Sequence, residues 1–145
     1  MRIIIFSFFL LLSGVGLSQA WLTDLDQASI LASEQQHNII LVFQGSDWCA
    51  PCMKLEQEIW SSEEFKQYAS DHYVLVKADF PRKKKNQLPE PQKKKNEQLA
   101  EKYNQDGYFP LVVVLDPQGN VLGKTGYEHM SPEKYIQLLH SFEVS

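Results

Sequence analysis

Ile39-Ile40-Leu41-Val42-Phe43-Gln44-Gly45-Ser46-Asp47-Trp48-Cys49-Ala50-Pro51-Cys52 is the stretch that decides the fold. Five apolar residues in an unbroken run predict a short strand buried on both faces. Gln44 to Asp47 reads as a turn. Downstream, Leu55 and Ile59 continue a helical pattern, so a buried strand hands over to a helix at the cysteines. These are the only two cysteines in the chain. Unpaired N–H groups at a helix start stabilise negative charge. A thiol held there loses its proton more easily and becomes a better nucleophile. The second thiol, one turn on, can attack any mixed disulfide that the first one forms.

Other readings of the pair are weaker. An inert disulfide that pins the turn would close a very short loop, for little entropic gain. Two thiols are half of a zinc site, but no second CxxC exists, and His37, His72, His129 and His140 show no ligand spacing. No metal and no organic cofactor is implied. The redox group is the Cys49–Cys52 pair itself. Its spacer, Ala50-Pro51, carries no histidine or other cation to stabilise a Cys49 thiolate. The reduced form is then less favoured, and the couple leans towards a reductase. Pro51 also suits an early helix position.

Working outward, Met1-Arg2 opens the chain with one positive charge, and Ile3 to Leu12 is almost wholly apolar. Ser18-Gln19-Ala20 places small residues at both positions that a signal peptidase reads. Residues 1–20 are expected to be a secretory signal peptide cleaved after Ala20, with an uncleaved anchor as the alternative. Residues 21–145 then form one domain with a single core. An exported location follows: the periplasm in a two-membrane bacterium, otherwise another extracytoplasmic site.

Charge is uneven. All of the 14 Lys/Arg except Arg2 lie after residue 20, against 18 Asp/Glu, a net of −5. Residues 82–95 hold seven Lys/Arg against Glu90 alone, a local +6, which leaves −11 elsewhere. This segment repeats itself, as Lys83-Lys84-Lys85-Asn86-Gln87-Leu88 and Lys93-Lys94-Lys95-Asn96-Glu97-Gln98-Leu99. It reads as a solvated loop leading into a helix. Alternatively Arg82, Lys83, Lys84, Lys85, Lys93, Lys94 and Lys95 form a docking patch for an acidic partner or an anionic membrane surface. Net negative charge and export argue against nucleic acid.

The remaining elements follow from periodicity. Asp24 caps a helix with Gln27 as its capping-box partner, and Leu25, Ala28, Leu31 and Ala32 form its inner face. The helix after the cysteines breaks at Trp60-Ser61. Ser61-Ser62-Glu63-Glu64 restarts it with a second capping box, ahead of Phe65, Tyr68 and Ala69. Tyr73 to Val76 is a strand. Arg82 to Pro91 reads as a polar loop, followed by a helix through Leu99, Ala100 and Tyr103 to near Gly107. Leu111 to Leu115 is another buried strand. Asp116-Pro117-Gln118-Gly119-Asn120 is a hairpin turn, and Val121-Leu122-Gly123 returns antiparallel. Ser131 caps the last helix, with Pro132 at its first position and Tyr135, Leu138, Leu139 and Phe142 as its stripe. The order α-β-α-β-α-β-β-α predicts an α/β fold, a mixed central sheet of about four strands with helices on both faces.

With these elements in place the chain resembles the thioredoxin family. The resemblance rests on Trp48-Cys49-Ala50-Pro51-Cys52 between strand and helix, Phe109-Pro110 opening the next long strand, the Asp116–Asn120 hairpin and the capped final helix. It covers about Asp24 to Phe142. The nearer likeness is to exported members with a Gly45–Cys49 approach to the site and an Asp79–Asn86 basic insertion. The resemblance implies that Cys49 is the exposed nucleophile and Cys52 the resolving thiol. It implies a cis-proline at Pro110, which keeps a backbone N–H away from the sulfurs and leaves the Phe109 peptide group for strand-like pairing with substrate. Trp48, Ala50 and Pro51 complete the active-site loop. Trp48 is expected to shield one side of the motif, and Tyr108 and Phe109 either rim the site or pack in the core. Members of the family carry a buried acid on the strand before the motif, where this chain has Val42. Asp47 and Glu56 are the candidates for handling the Cys52 proton in its place, unless each is an ordinary surface carboxylate.

Three functions fit these residues. The first is a thiol–disulfide oxidoreductase acting on disulfide- or thiol-bearing exported proteins, as a reductase recharged by a thiol donor that could be membrane-borne. The second is an oxidant or isomerase using the same cysteines. The third is a redox-silent module that binds peptides at Phe109-Pro110. A monomer is expected.

Overall fold

A computed structural model of the protein describes residues 19–144. The expected signal segment, except Gln19 and Ala20, lies outside the described residues. Four strands form one sheet in the order β2-β1-β3-β4. They are β1 (Asn38–Gln44), β2 (Tyr73–Asp79), β3 (Leu111–Leu115) and β4 (Val121–Thr125). β1 runs parallel to β2 and antiparallel to β3, and β3 and β4 form the hairpin. This is the mixed sheet that the chain order predicts, and it is a thioredoxin fold.

Strand alternation divides the core in two. Ile40, Val42, Leu75, Val112 and Val114 face α2 (Ala50–Leu55), α3 (Glu63–His72) and α5 (Pro132–Ser141). Ile39, Leu41, Phe43, Val74, Val113 and Leu115 face α1 (Leu25–Gln35) and α4 (Glu90–Tyr103). β1 is central and covered on both sides, so all five residues of its apolar run are 0–1% exposed. That explains why the run shows no alternation in sequence.

The caps form largely as the side chains dictate. Asp24 accepts from the Gln27 N–H, and Ser131 accepts from the Lys134 N–H. Asp116 accepts from the Gln118 and Asn120 N–H groups and holds the hairpin turn. Gly119 takes φ +85 there, a conformation that favours glycine.

Several boundaries differ from expectation. α3 is capped by Ser62, which accepts from the Phe65 N–H, so the Ser61–Glu64 capping box does not form. Between α2 and α3 the chain makes one π turn, Glu56–Trp60. β2 runs three residues past Val76, because Lys77 to Asp79 continue the register with Val42 to Gln44. The polar loop ends earlier than its prolines suggest. Pro91 lies in the first turn of α4, where a missing N–H costs nothing, and the helix begins at Glu90. The basic segment 82–95 is therefore not one loop. Its first copy is a loop with a short 3-10 turn, Lys84–Asn86, and its second is helical.

Candidate active site

Cys49 is the N-cap of α2, and its Sγ accepts from the Cys52 N–H at 3.3 Å. The helix starts there because Gly45 O receives the Cys49 N–H at 2.9 Å, which turns the chain tightly out of β1. Gly45 is required by a close approach. A Cβ at this position would overlap the Trp48 indole. The two sulfurs are joined in a disulfide, with Cα atoms 5.2 Å apart. Both cysteines are 4% exposed, so the expected exposed nucleophile is covered as deeply as its partner in this oxidised form. Ala50 and Pro51, between them, are exposed.

The Phe109–Pro110 peptide bond is cis. Pro110 is buried at the head of β3, and Phe109 is half-buried. The approach to this bond is fixed by Asn104, which is 5% exposed. Its side chain donates to Tyr108 O at 2.8 Å and accepts from the Tyr108 N–H at 2.9 Å. Tyr108 itself is 63% exposed, so of the two aromatics only Phe109 packs at the motif. The Phe109 ring meets Trp48 edge-on at 5.3 Å between centroids and Phe80 at 5.5 Å. The Trp48 Nε1–H donates to Phe80 O at 2.8 Å. Trp48 thus ties the motif to the loop after β2.

Two aspartates brace these loops against each other. Asp79, at the end of β2, accepts from the Ser46 N–H and hydroxyl at 2.9 and 2.6 Å. Asp47, in the approach loop, accepts from the Arg82 and Lys83 N–H groups and from the Asn86 side chain, all within 3.0 Å. These hydrogen bonds, that of Arg82 foremost, hold the Asp47 carboxyl down at about 2. A carboxylate so fully engaged is a poor proton acceptor, and the expectation that Asp47 handles the Cys52 proton gives way to a bracing role. With its backbone fixed in this way, Arg82 lays its guanidinium over the Trp48 ring, 3.7 Å from Cζ to the centroid.

Glu56 is placed differently. Its backbone N–H bonds to Cys52 O, one turn along the helix. Its carboxylate meets Lys77 Nζ at 2.9 Å. Lys77 is the register partner of Val42, the position where the family's acid is missing. Cys52, Met53, Glu56 and Lys77 border one cavity of about 350 Å³.

The basic residues are spread over two elements, the loop after β2 and α4. Arg82 lies at the motif and Lys83 beside it, while Lys95 sits on α4 and pairs with Asp24 at 2.6 Å. Lys93 borders a separate small cavity with Pro81 and Leu88. The repeat has a structural consequence instead. Asn86 in the first copy donates to Asp47, and Asn96 in the second donates to Asp79 O. Asn104, Lys77 and the Arg82–Trp48 stack are the site features that sequence reasoning missed or left unassigned. Lys77 carried one signal, as a lone cation between the apolar run Tyr73–Val76 and Ala78.

A strand-to-helix disulfide and a cis-proline at the head of β3, on this sheet, define a thioredoxin-fold protein with a dithiol–disulfide site. A family model described as thioredoxin-like matches residues 20–117. The chain belongs to the thioredoxin-like family. It is 40% identical over 110 residues to the disulfide bond reductase DsbH of Chlamydia pneumoniae, across 75% of this chain. It spans 64% of that relative's length. The solved structure of a DsbH oxidoreductase aligns over 96% of both chains, with a TM-score of 0.77 and 32% identity. A thioredoxin from Thermus thermophilus, at 17% identity and a TM-score of 0.65, shares the fold.

Proposed function

We propose that the protein is a thiol–disulfide oxidoreductase of the reductase type, acting on exported proteins outside the cytoplasm. The observation that carries this is Cys49 Sγ at the helix start, reached by the Cys52 N–H, with a spacer that adds no cation. The similarity to a protein named a disulfide bond reductase supports the same direction. Among the described residues no helix is long and apolar enough to cross a membrane.

The reaction balances on the two sulfurs. In the reduced protein the Cys49 thiolate attacks one sulfur of a substrate disulfide and expels the other as a thiolate. The Cys52 thiolate then attacks Cys49 Sγ in the mixed disulfide and releases the second substrate thiolate. Two electrons pass to the substrate, and the Cys49–Cys52 disulfide remains. A thiol donor of lower potential recharges it. Substrate aligns along the Phe109 peptide group, beside the Trp48 ring that Phe109 packs against. Glu56 takes the Cys52 proton, directly or through water in the cavity that both residues border, and Lys77 holds that carboxylate in place.

The test is the equilibrium potential of the couple against graded thiol buffers. A reductase should give about −240 mV or below, near the thioredoxin range. A value above about −180 mV would turn the reading towards an oxidant or isomerase. A pair that does not cycle would leave only the peptide-binding module.

A further inference from the structure

Trp48, Phe80, Arg82, Gly107 and Phe109 line an open cleft of about 600 Å³ beside the motif. Three of its walls are aromatic rings in mutual contact, and the fourth is a cation. The guanidinium makes no hydrogen bond or ion pair among the described residues, while its own backbone N–H is fixed by Asp47. Arg82 is exposed. Its guanidinium thus lies over Trp48, 3.7 Å from Cζ to the centroid, with its N–H groups unpaired among the described residues. A guanidinium in that posture presents paired donors that match a carboxylate.

The rest of the molecule makes this placement selective. Outside residues 82–95 the segment 21–145 carries −11, so its general field repels acidic polypeptides. At the mouth of the site Arg82 supplies a positive charge. The aromatic walls suit a polypeptide segment, whose backbone can run along Phe109 while a side chain enters the cleft.

We propose that the cleft selects substrate polypeptides with an acidic residue beside the cystine, by pairing that carboxylate with Arg82. This names the substrate class of the reductase reading and rests on it. The step is the one already described: the reduced dithiol gives two electrons to the peptide cystine, whose two thiols are the product.

The experiment uses two synthetic disulfide-linked peptides, alike except for Glu or Lys next to the cysteine. The reduced protein is mixed with each, and rates are normalised to those for uncharged hydroxyethyl disulfide. The Glu peptide should react about fivefold faster than the Lys peptide, the scale of one exposed charge pair. That ratio should shrink as salt rises. In Arg82→Gln it should fall to near one, and Arg82→Lys should retain part of it. Equal rates for the two peptides, or a ratio that survives Arg82→Gln, would overturn the selectivity while leaving the reductase standing. No reduction of hydroxyethyl disulfide at all would instead sink the reductase reading, and this inference with it.

Discussion

At the scale of single residues, the proton on Cys52 is the chemical difficulty. Cys52 is 4% exposed, and the strand residue beneath the motif that could take a proton in other members is Val42, 1% exposed and apolar. Glu56 and Lys77 restore a charged pair to that region from different backbone positions. Lys77 comes from the strand paired with β1, and Glu56 comes from the turn that follows α2. The pair is partly open to solvent, with side-chain exposures of 43% for Glu56 and 21% for Lys77, so it can exchange its proton with water after each cycle. Glu56→Gln keeps the shape and removes the acceptor. Resolution of a mixed disulfide trapped on Cys49 should slow about a hundredfold near neutral pH, the lower end of the range for lost general-base assistance. Its rate should rise only with the thiolate fraction of Cys52. Rapid acid quench across pH 5–9 checks this, a range of about four units that spans the usual thiol value. A profile identical to that of the parent protein would remove Glu56 from the mechanism.

Among the elements, the approach loop and the loop after β2 depend on each other. Asp79 holds Ser46, and Asp47 holds Arg82, Lys83 and Asn86. The Asp47 carboxyl is lowered from 3.8 to about 2 in the folded protein. Its contribution is therefore complete above the unfolded value and fades as pH falls from about 4 to about 2. Asp47→Asn should free the 82–86 segment at neutral pH, as acid does to the parent protein at low pH. Hydrogen exchange at the Arg82 and Lys83 amides should accelerate in the variant, with amides of β1 still protected. Unchanged exchange at those two amides would show that Pro81 and the 3-10 turn hold the loop without Asp47. The same region shows why only part of the site was legible in sequence. The cysteine pair announces itself because strand, turn and helix are all local. The Arg82–Trp48 stack joins residues 34 apart through an aspartate clamp, and nothing in the intervening sequence sets that distance. The start of α4 was misread for a local reason: Pro89-Glu90-Pro91 reads equally as loop or as a proline-led first turn, and packing of Leu99 and Tyr103 under the sheet selects the helix.

For the whole molecule, direction of electron flow and stability are one quantity seen twice. Folding and oxidation form a closed thermodynamic cycle, so a fold that lowers the potential of its cysteine pair must stabilise the oxidised form more than the reduced one. A strong oxidant obeys the reverse relation, because its fold stabilises the thiolate. Here the sequence puts no cation in the spacer, Lys77 is paired with Glu56, and Arg82 lies over the Trp48 face. Little in the native site therefore favours a Cys49 thiolate beyond the Cys52 N–H. The short loop closed by the disulfide adds a chain-entropy gain on the order of 2 kcal/mol. The oxidised protein should accordingly unfold at higher denaturant than the reduced protein, by an increment of roughly that size, with the same slope in both states. Paired urea titrations with and without excess reductant measure it directly. If the reduced form proved the more stable, the cycle would require a raised potential, and the protein would have to run as an oxidant whatever its relatives do.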